Sequence, residues 1–386
     1  MRIKYLLLVL VMVVTFTGGF LSGVLYSTFT SHQAETEENY FLSIDDAPLA
    51  ERMLILKQKP KVEDKKSKVL MGYVQDFRDP DSVNYSDLTH VIFSFAHPTK
   101  DGKLLLNGDT AMENLRKMVS NAAKHDTKTM LAVGGWFHIN GGESYEYFKE
   151  AITNPVARTT LVNELVGVVD RESLDGIDVD FEHPRNKEDA HNLLIFVEEL
   201  NKQLQSRDKE LSIAVNAKVH SVAGTELHNV VFEPSMFAHV DFVNIMAYDG
   251  QWDGEYNAAN LSPFTHNVNI INYWTNLFEQ HKISKEKLVL GVPLYGQPED
   301  PSIKQVSYEA IINQNPKNAD SDKTIMNGTT YHYNGTATVK QKIELALDNG
   351  LGGMMVWETG LDAKGEHSLT SVILEALESN GLFAVK

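Results

Sequence analysis

The chain has 386 residues, 42% of them hydrophobic, enough for a sizeable core. A formal net charge of −17 argues against a nucleic-acid partner, because phosphate binding rests on Lys and Arg. The absence of cysteine excludes disulfides, thiolate metal sites, a cysteine nucleophile and a lipid anchor on an N-terminal cysteine.

Arg2 and Lys4 precede an uncharged run from Tyr5 to Phe29, and no further Lys or Arg occurs before Arg52. About 25 such residues would reach roughly 37 Å as a helix, enough for a ~30 Å hydrocarbon core. Residues 1–30 are read as an uncleaved signal-anchor, or as a signal peptide cut near Gly18 to Gly23. Either places the remainder outside the cytoplasm, secreted or tethered to the membrane. Residues 31–67 carry a block of Glu and Asp and then a block of Lys, without a sustained apolar period. They are read as a linker with a short helix around Leu49 to Leu56.

From residue 68 the pattern changes to short apolar runs alternating with longer helix-like stretches, the mark of βα units. The runs are Val69–Val74, His90–Phe95, Thr129–Gly134, Gly176–Phe181, Leu211–Ala217, Phe242–Ala247, Leu288–Leu294 and Gly353–Val356. Helices are predicted over Ala111–Lys124, Ala157–Asp170, Lys187–Gln205, Val268–Gln280 and Thr338–Asn349. Eight strand–helix units over residues 68–386 predict an α/β fold, a single (β/α)₈ TIM barrel. A doubly wound open sheet is the alternative, but no Gly-x-Gly-x-x-Gly follows the first run. In such barrels the chemistry sits at the C-terminal strand ends. Here those ends carry Tyr73, Trp136, Asp180, Glu182, Met246, Tyr248, Asp249 and Trp357.

The most informative segment is Asp175-Gly176-Ile177-Asp178-Val179-Asp180-Phe181-Glu182. Side chains alternate faces along a strand, so Asp178, Asp180 and Glu182 share one face and Ile177, Val179 and Phe181 the other. With the apolar face packed on the helices, the acids point into the barrel. Three carboxylates there cannot all be ionised cheaply, so one holds a proton beside an ionised neighbour. Glycoside cleavage needs that pairing. A calcium loop would place Gly after its third ligand and polar residues between ligands, which this segment does not. Asp175 does not share the acidic face and is read as a turn or structural acid. No pair among the 14 histidines has a metal-ligand spacing, and neither metal nor cofactor is expected.

Asp175-x-x-Asp178-x-Asp180-x-Glu182 resembles the DxxDxDxE signature of glycoside hydrolase family 18, the chitinase family. Gly72-Tyr73, Gly134-Gly135-Trp136, Met246-Ala247-Tyr248-Asp249, Gly291-Val292-Pro293-Leu294-Tyr295-Gly296 and Gly352-Gly353-Met354-Met355-Val356-Trp357 resemble its motifs at other strand ends, in order. The resemblance implies hydrolysis of β-1,4-linked N-acetylglucosamine polymers by a retaining mechanism in which the substrate's acetamido oxygen is the nucleophile. It implies Glu182 as general acid/base, and Asp180, Asp178 and Tyr248 as the groups that hold the acetamido group and share charge. It implies that Trp357 floors the cleavage site, with Tyr73, Trp136, Met246 and Asp249 binding substrate. The expected state is a monomer.

The chain departs from the family pattern at Ala132, where Ser is frequent, so Asp178 is expected to depend on Tyr73 alone. His183, Asn216 and Gln297 also replace common residues, the last of them Arg. Trp136 and Trp252 are read as sugar-stacking platforms, Trp274 as packing. The stretch from Gln297 to Asn334 is too short for the large α+β insertion many members carry after strand 7, which predicts an open groove and endo-cleavage. Alternatives are an endo-β-N-acetylglucosaminidase acting on glycoprotein glycans, peptidoglycan or exopolysaccharide, and a chitin-binding lectin. Lectins of this fold typically lack the acid, whereas Glu182 is present.

Overall fold

The protein is described by a computed structural model over residues 67–217, 231–252 and 255–382. The predicted signal or anchor at 1–30 and the linker up to residue 66 lie outside the described residues. Among the described residues no helix is long and apolar enough to cross a membrane.

Eight parallel strands close into a barrel. In order around it they are β1 (Val69–Gln75), β2 (His90–Pro98), β4 (Lys128–Gly134), β5 (Gly176–Asp180), β6 (Glu210–Asn216), β7 (Phe242–Met246), β8 (Leu288–Pro293) and β13 (Gly353–Trp357), which pairs back to β1. Each ends within a residue of its predicted run except β2. That strand continues to Pro98 because it turns back on the two-residue strand β3 (Leu104–Leu105), with His97 opposite Leu105.

Around the barrel lie α1 (Gly108–Ala122), α2 (Ser144–Thr153), α3 (Pro155–Glu172), α4 (Lys187–Gln205), α5 (Phe264–Gln280), α7 (Thr336–Asp348) and α8 (Leu369–Ser379). Their starts follow from capping chemistry. Asn154 Oδ1 accepts from the amides of Val156 and Ala157 while Pro155 opens α3. Asn186 does the same for Asp189 at the head of α4. Helices α2 and α8 were not among the predicted elements. Helix α2 is ten residues long and gives way at Asn154 to the next helix without a loop.

Two apolar cores result. Ile177, Val179 and Phe181 join the large core between strands and helices, while Met71, Tyr73, Ile92, Met130, Ala132, Val289 and Met355 fill the barrel interior. Asp178 and Asp180 face that interior and are buried, as the alternation predicts.

Between β8 and β13 the chain makes a small antiparallel sheet in the order β10 (Val306–Ser307), β9 (Tyr295–Pro298), β12 (Thr329–His332) and β11 (Lys323–Met326), with α6 (Tyr308–Gln314) packed on it. The stretch is therefore short, as expected, yet structured. A buried lysine ties this unit to the barrel: Lys342 Nζ donates to Ser262 O at 2.7 Å, Ser262 Oγ at 2.6 Å and Asn334 Oδ1 at 2.6 Å. Ser262 Oγ in turn donates to the Ala247 carbonyl, the peptide that precedes Tyr248.

One glycine decides how closely β4 approaches the acidic strand. Gly134 has φ +121°, and a Cβ there would lie 2.0 Å from the Asp180 carbonyl oxygen. Gly134→Ala should lower stability by about 3 kcal/mol or more, read from denaturant midpoints. Gly167, within α3, meets nothing within 4 Å at its Cβ position. Gly167→Ala should instead stabilise by about 0.5–1 kcal/mol. Equal effects at the two sites would contradict the close approach at Gly134.

Candidate active site

Asp178 lies at the bottom of the site, fully buried. Its carboxylate accepts from Tyr73 Oη at 2.9 Å, Ser212 Oγ at 2.5 Å and Asn244 Nδ2 at 3.2 Å. Asn244 Nδ2 also donates to Tyr73 Oη at 2.9 Å, which leaves the tyrosine proton directed at the carboxylate. Burial pushes the Asp178 pKa up to about 6, and these donors hold it from rising further.

The expectation that Asp178 depends on Tyr73 alone is corrected. In the register of the barrel, Asp178 stands beside Ala132 on β4 and beside Ser212 on β6. The hydroxyl missing at 132 is present on the opposite neighbour. Ser212 and Asn244 were both missed in the sequence. The available signal was a polar residue at an inward position of an otherwise apolar strand, in Leu211-Ser212-Ile213 and Val243-Asn244-Ile245.

Asp180 is one pleat nearer the mouth and 3% exposed. Burial pushes its pKa well above the ordinary carboxylate range, and the charges of Glu182 and Asp178 push it the same way. Its Oδ1 is buried and has no hydrogen-bond partner among the described residues. Glu182 stands beyond the strand end with its side chain 17% exposed, so the acidic face runs from a sealed base to an open rim. Tyr248 is buried near them, and burial, then Asp249, raises its pKa well above the usual phenol value. Tyr73 is raised likewise, first by burial and then by Asp178. Both phenols stay protonated and able to donate.

Asp180, Glu182, Tyr248 and Trp357 line one cavity of about 820 Å³ at the C-terminal mouth of the barrel. Tyr73, Trp136, Met246 and Asp249 line it too, so every residue singled out for substrate binding reaches the same space. Trp357 is packed on Tyr73 at 5.5 Å between ring centroids and stacked on Phe95 at 5.8 Å. The backbone just after it is held by Glu358, a buried acid that accepts from Arg78 Nε at 2.9 Å and from the Gly360 amide at 3.1 Å. Asp249 Oδ1 accepts from Tyr295 Oη at 2.6 Å and Gln251 Nε2 at 3.0 Å, which fixes its carboxylate on the cavity wall.

Trp136 is 42% exposed and Trp252 57%, both at the cavity, so among the described residues nothing roofs the groove above them. His183 lines the cavity as well, its Nε2 3.1 Å from Asn216 Nδ2 and 4.0 Å from Glu182 Oε2. Phe95, Phe137 and Gln305 are lining residues that the sequence did not single out. Asp175 lies apart from the cavity, its Oδ2 accepting from the Thr129 amide at 2.8 Å, and is structural. Trp274 is fully buried against Phe237 and Phe278.

The arrangement offers a rim acid, a desolvated carboxylate with an open acceptor, a neutral phenol donor and an indole floor. The profile of the glycosyl hydrolases family 18 matches residues 69–362. Chitinase 1 of Aphanocladium album is 25% identical over 363 residues, which cover 80% of this chain and 83% of that protein. The structure of a family 18 chitinase from the chitin utilization locus of Flavobacterium johnsoniae aligns with a TM-score of 0.67 at 27% identity, over 82% of this chain and 95% of that one. A chitinase from Bacteroides thetaiotaomicron has the same fold, with a TM-score of 0.68 at 24% identity over 83% of this chain and all of that one (100%). With its acidic strand, strand-end motifs and barrel all in register, the chain belongs to glycosyl hydrolases family 18 and is a glycoside hydrolase.

Proposed function

We propose that this enzyme hydrolyses β-1,4-linked N-acetylglucosamine polymers, chitin or chitooligosaccharides, by substrate-assisted catalysis with retention. The observation that carries the proposal is Asp180 Oδ1, a buried acceptor in the cavity wall without a partner among the described residues. A buried polar atom left unpaired costs about 1–3 kcal/mol, and an acetamido N–H is a donor of the right kind to relieve it.

In the proposed cycle Glu182 gives its proton to the glycosidic oxygen as the C1–O bond breaks. The acetamido carbonyl oxygen attacks C1 from the other face, forming an oxazolinium ion. Asp180 accepts the acetamido N–H and balances the positive charge that develops on it, while Asp178 behind it shares proton and charge. Tyr248 donates to the acetamido oxygen and aims it. The ionised Glu182 then takes a proton from water, whose oxygen bonds to C1 and reopens the ring. Trp357 supports the sugar from below, where stacking on an indole face excludes water. The groove at Trp136 and Trp252, uncovered among the described residues, favours entry of a chain along its length, and hence endo-cleavage. We assign the acting state to an exported monomer, secreted or held by its N-terminal segment.

The full chain should release the chromophore from a chromogenic N,N′-diacetylchitobioside. Glu182→Gln should lower kcat by about 10²–10⁴-fold, the usual weight of general acid–base catalysis. Hydrolysis that survives this change would rule the mechanism out, and binding without hydrolysis in the parent would favour a lectin.

The shared proton has a separate test. The pKa of Asp178, about 6, lies above the ordinary 3.8, so the folded state binds the proton more tightly than the unfolded chain. Its contribution to stability is therefore complete below about pH 4 and is lost as pH rises through about 6. Ser212→Ala removes a donor to the carboxylate and raises the folded value further. Its Tm deficit against the parent should widen between about pH 5 and pH 8. A deficit that stays constant over that range would show that Asp178 exchanges no proton there.

A further inference from the structure

Gln297, at a position where Arg is frequent in the family, has no part in the catalytic proposal above. It is buried at 4% exposure and belongs to a row of hydrogen bonds leading into the cavity wall. The Tyr256 hydroxyl donates to the Pro298 carbonyl. Its oxygen is left to accept, and Gln297 Nε2 donates to it at 2.9 Å. Gln297 must then turn Oε1 the other way, where it accepts from Gln305 Nε2 at 2.7 Å. Reversing either amide would set two acceptors or two donors face to face, so the order of atoms follows from the first link. The row ends on Gln305, exposed on the segment between β9 and β10 and lining the catalytic cavity. Trp252 lines the same cavity, with its ring 4.8 Å from that of Tyr256.

We propose that Gln305 is a specificity-determining residue of the cleft, oriented by Tyr256 and Gln297 so that its Oε1 accepts a hydrogen bond from a hydroxyl or acetamido N–H of a sugar lying against Trp252. The inference rests on the saccharide reading and narrows it. Oε1 rewards a neutral donor and opposes an acceptor-only group such as a carboxylate. Asp249 lines the same cavity and opposes such a group as well. The site thereby selects uncharged amino sugars over sugars bearing acidic substituents. Tyr256 and Gln297 are positioning residues that act through Gln305.

Calorimetric titration of chitohexaose into the full-length Glu182→Gln protein tests this without turnover. Adding Gln305→Ala should weaken binding about 5–10-fold, the range for losing one neutral hydrogen bond. Adding Tyr256→Phe removes the first link and should weaken binding at least twofold. In the active chain Tyr256→Phe should raise KM for chitohexaose by a larger factor than it lowers kcat, a split that general loosening of the fold would not produce. Unchanged affinity in Gln305→Ala overturns the role of Gln305. A loss there with none in Tyr256→Phe overturns the row as the orienting device. Failure of the Glu182→Gln parent to bind chitohexaose overturns the saccharide reading and this inference with it.

Discussion

The site depends on burying the carboxylate of Asp178 in the middle of a barrel. An ionised carboxylate in a dry interior is prohibitive unless donors surround it. Tyr73, Ser212 and Asn244 supply those donors from β1, β6 and β7. None of the three is close to Asp178 in sequence: Tyr73 is 105 residues away. Only closure of the barrel brings them together, so folding and assembly of the charge network are one event. The compensation is partial, so the pKa stays raised at about 6, within reach of neutral pH.

Above this base the remaining groups are fixed from behind. The tie from Lys342 through Ser262 to the Ala247 carbonyl braces the segment carrying Tyr248 and Asp249. Glu358, clamped by Arg78, braces the segment after Trp357. Tyr295 holds Asp249. Each brace comes from a side chain outside the cavity or at its edge and acts on a residue that lines it. Groups aimed in advance need not reorganise when charge develops, which is the main source of electrostatic catalysis.

Much of this was legible in the sequence. The barrel strands announced themselves as short apolar runs, and the alternation through Asp178, Asp180 and Glu182 set the acids on the inner face. What escaped was of two kinds. Ser212 and Asn244 act across strands, and their value depends on lateral register, which no single strand's pattern contains. The sheet β9–β12 has strands of two to four residues, too short to show a period, and α6 has only seven residues. Gln305 falls between two such elements, and its meaning appears only once the insertion is folded against the barrel.

Positions 132 and 212 show how the base of the site is built. Ala132 and Ser212 flank Asp178 from opposite sides of the same strand, at the same level of the barrel. A hydroxyl on either flank can reach a carboxylate lying between them, because strands in a barrel are about 4.8 Å apart and their inward side chains point toward a common axis. Here the hydroxyl stands on β6 and not on β4, which decides where the crowding falls. On the β4 side the small Ala132 remains, next to Gly134, where the chain passes so close to Asp180 that no side chain fits. The two small residues let β4 pass close to the acidic strand, and the polar load is carried by β1, β6 and β7. Burial raises the proton affinity of Asp178, and the donors, whichever strand supplies them, hold it back.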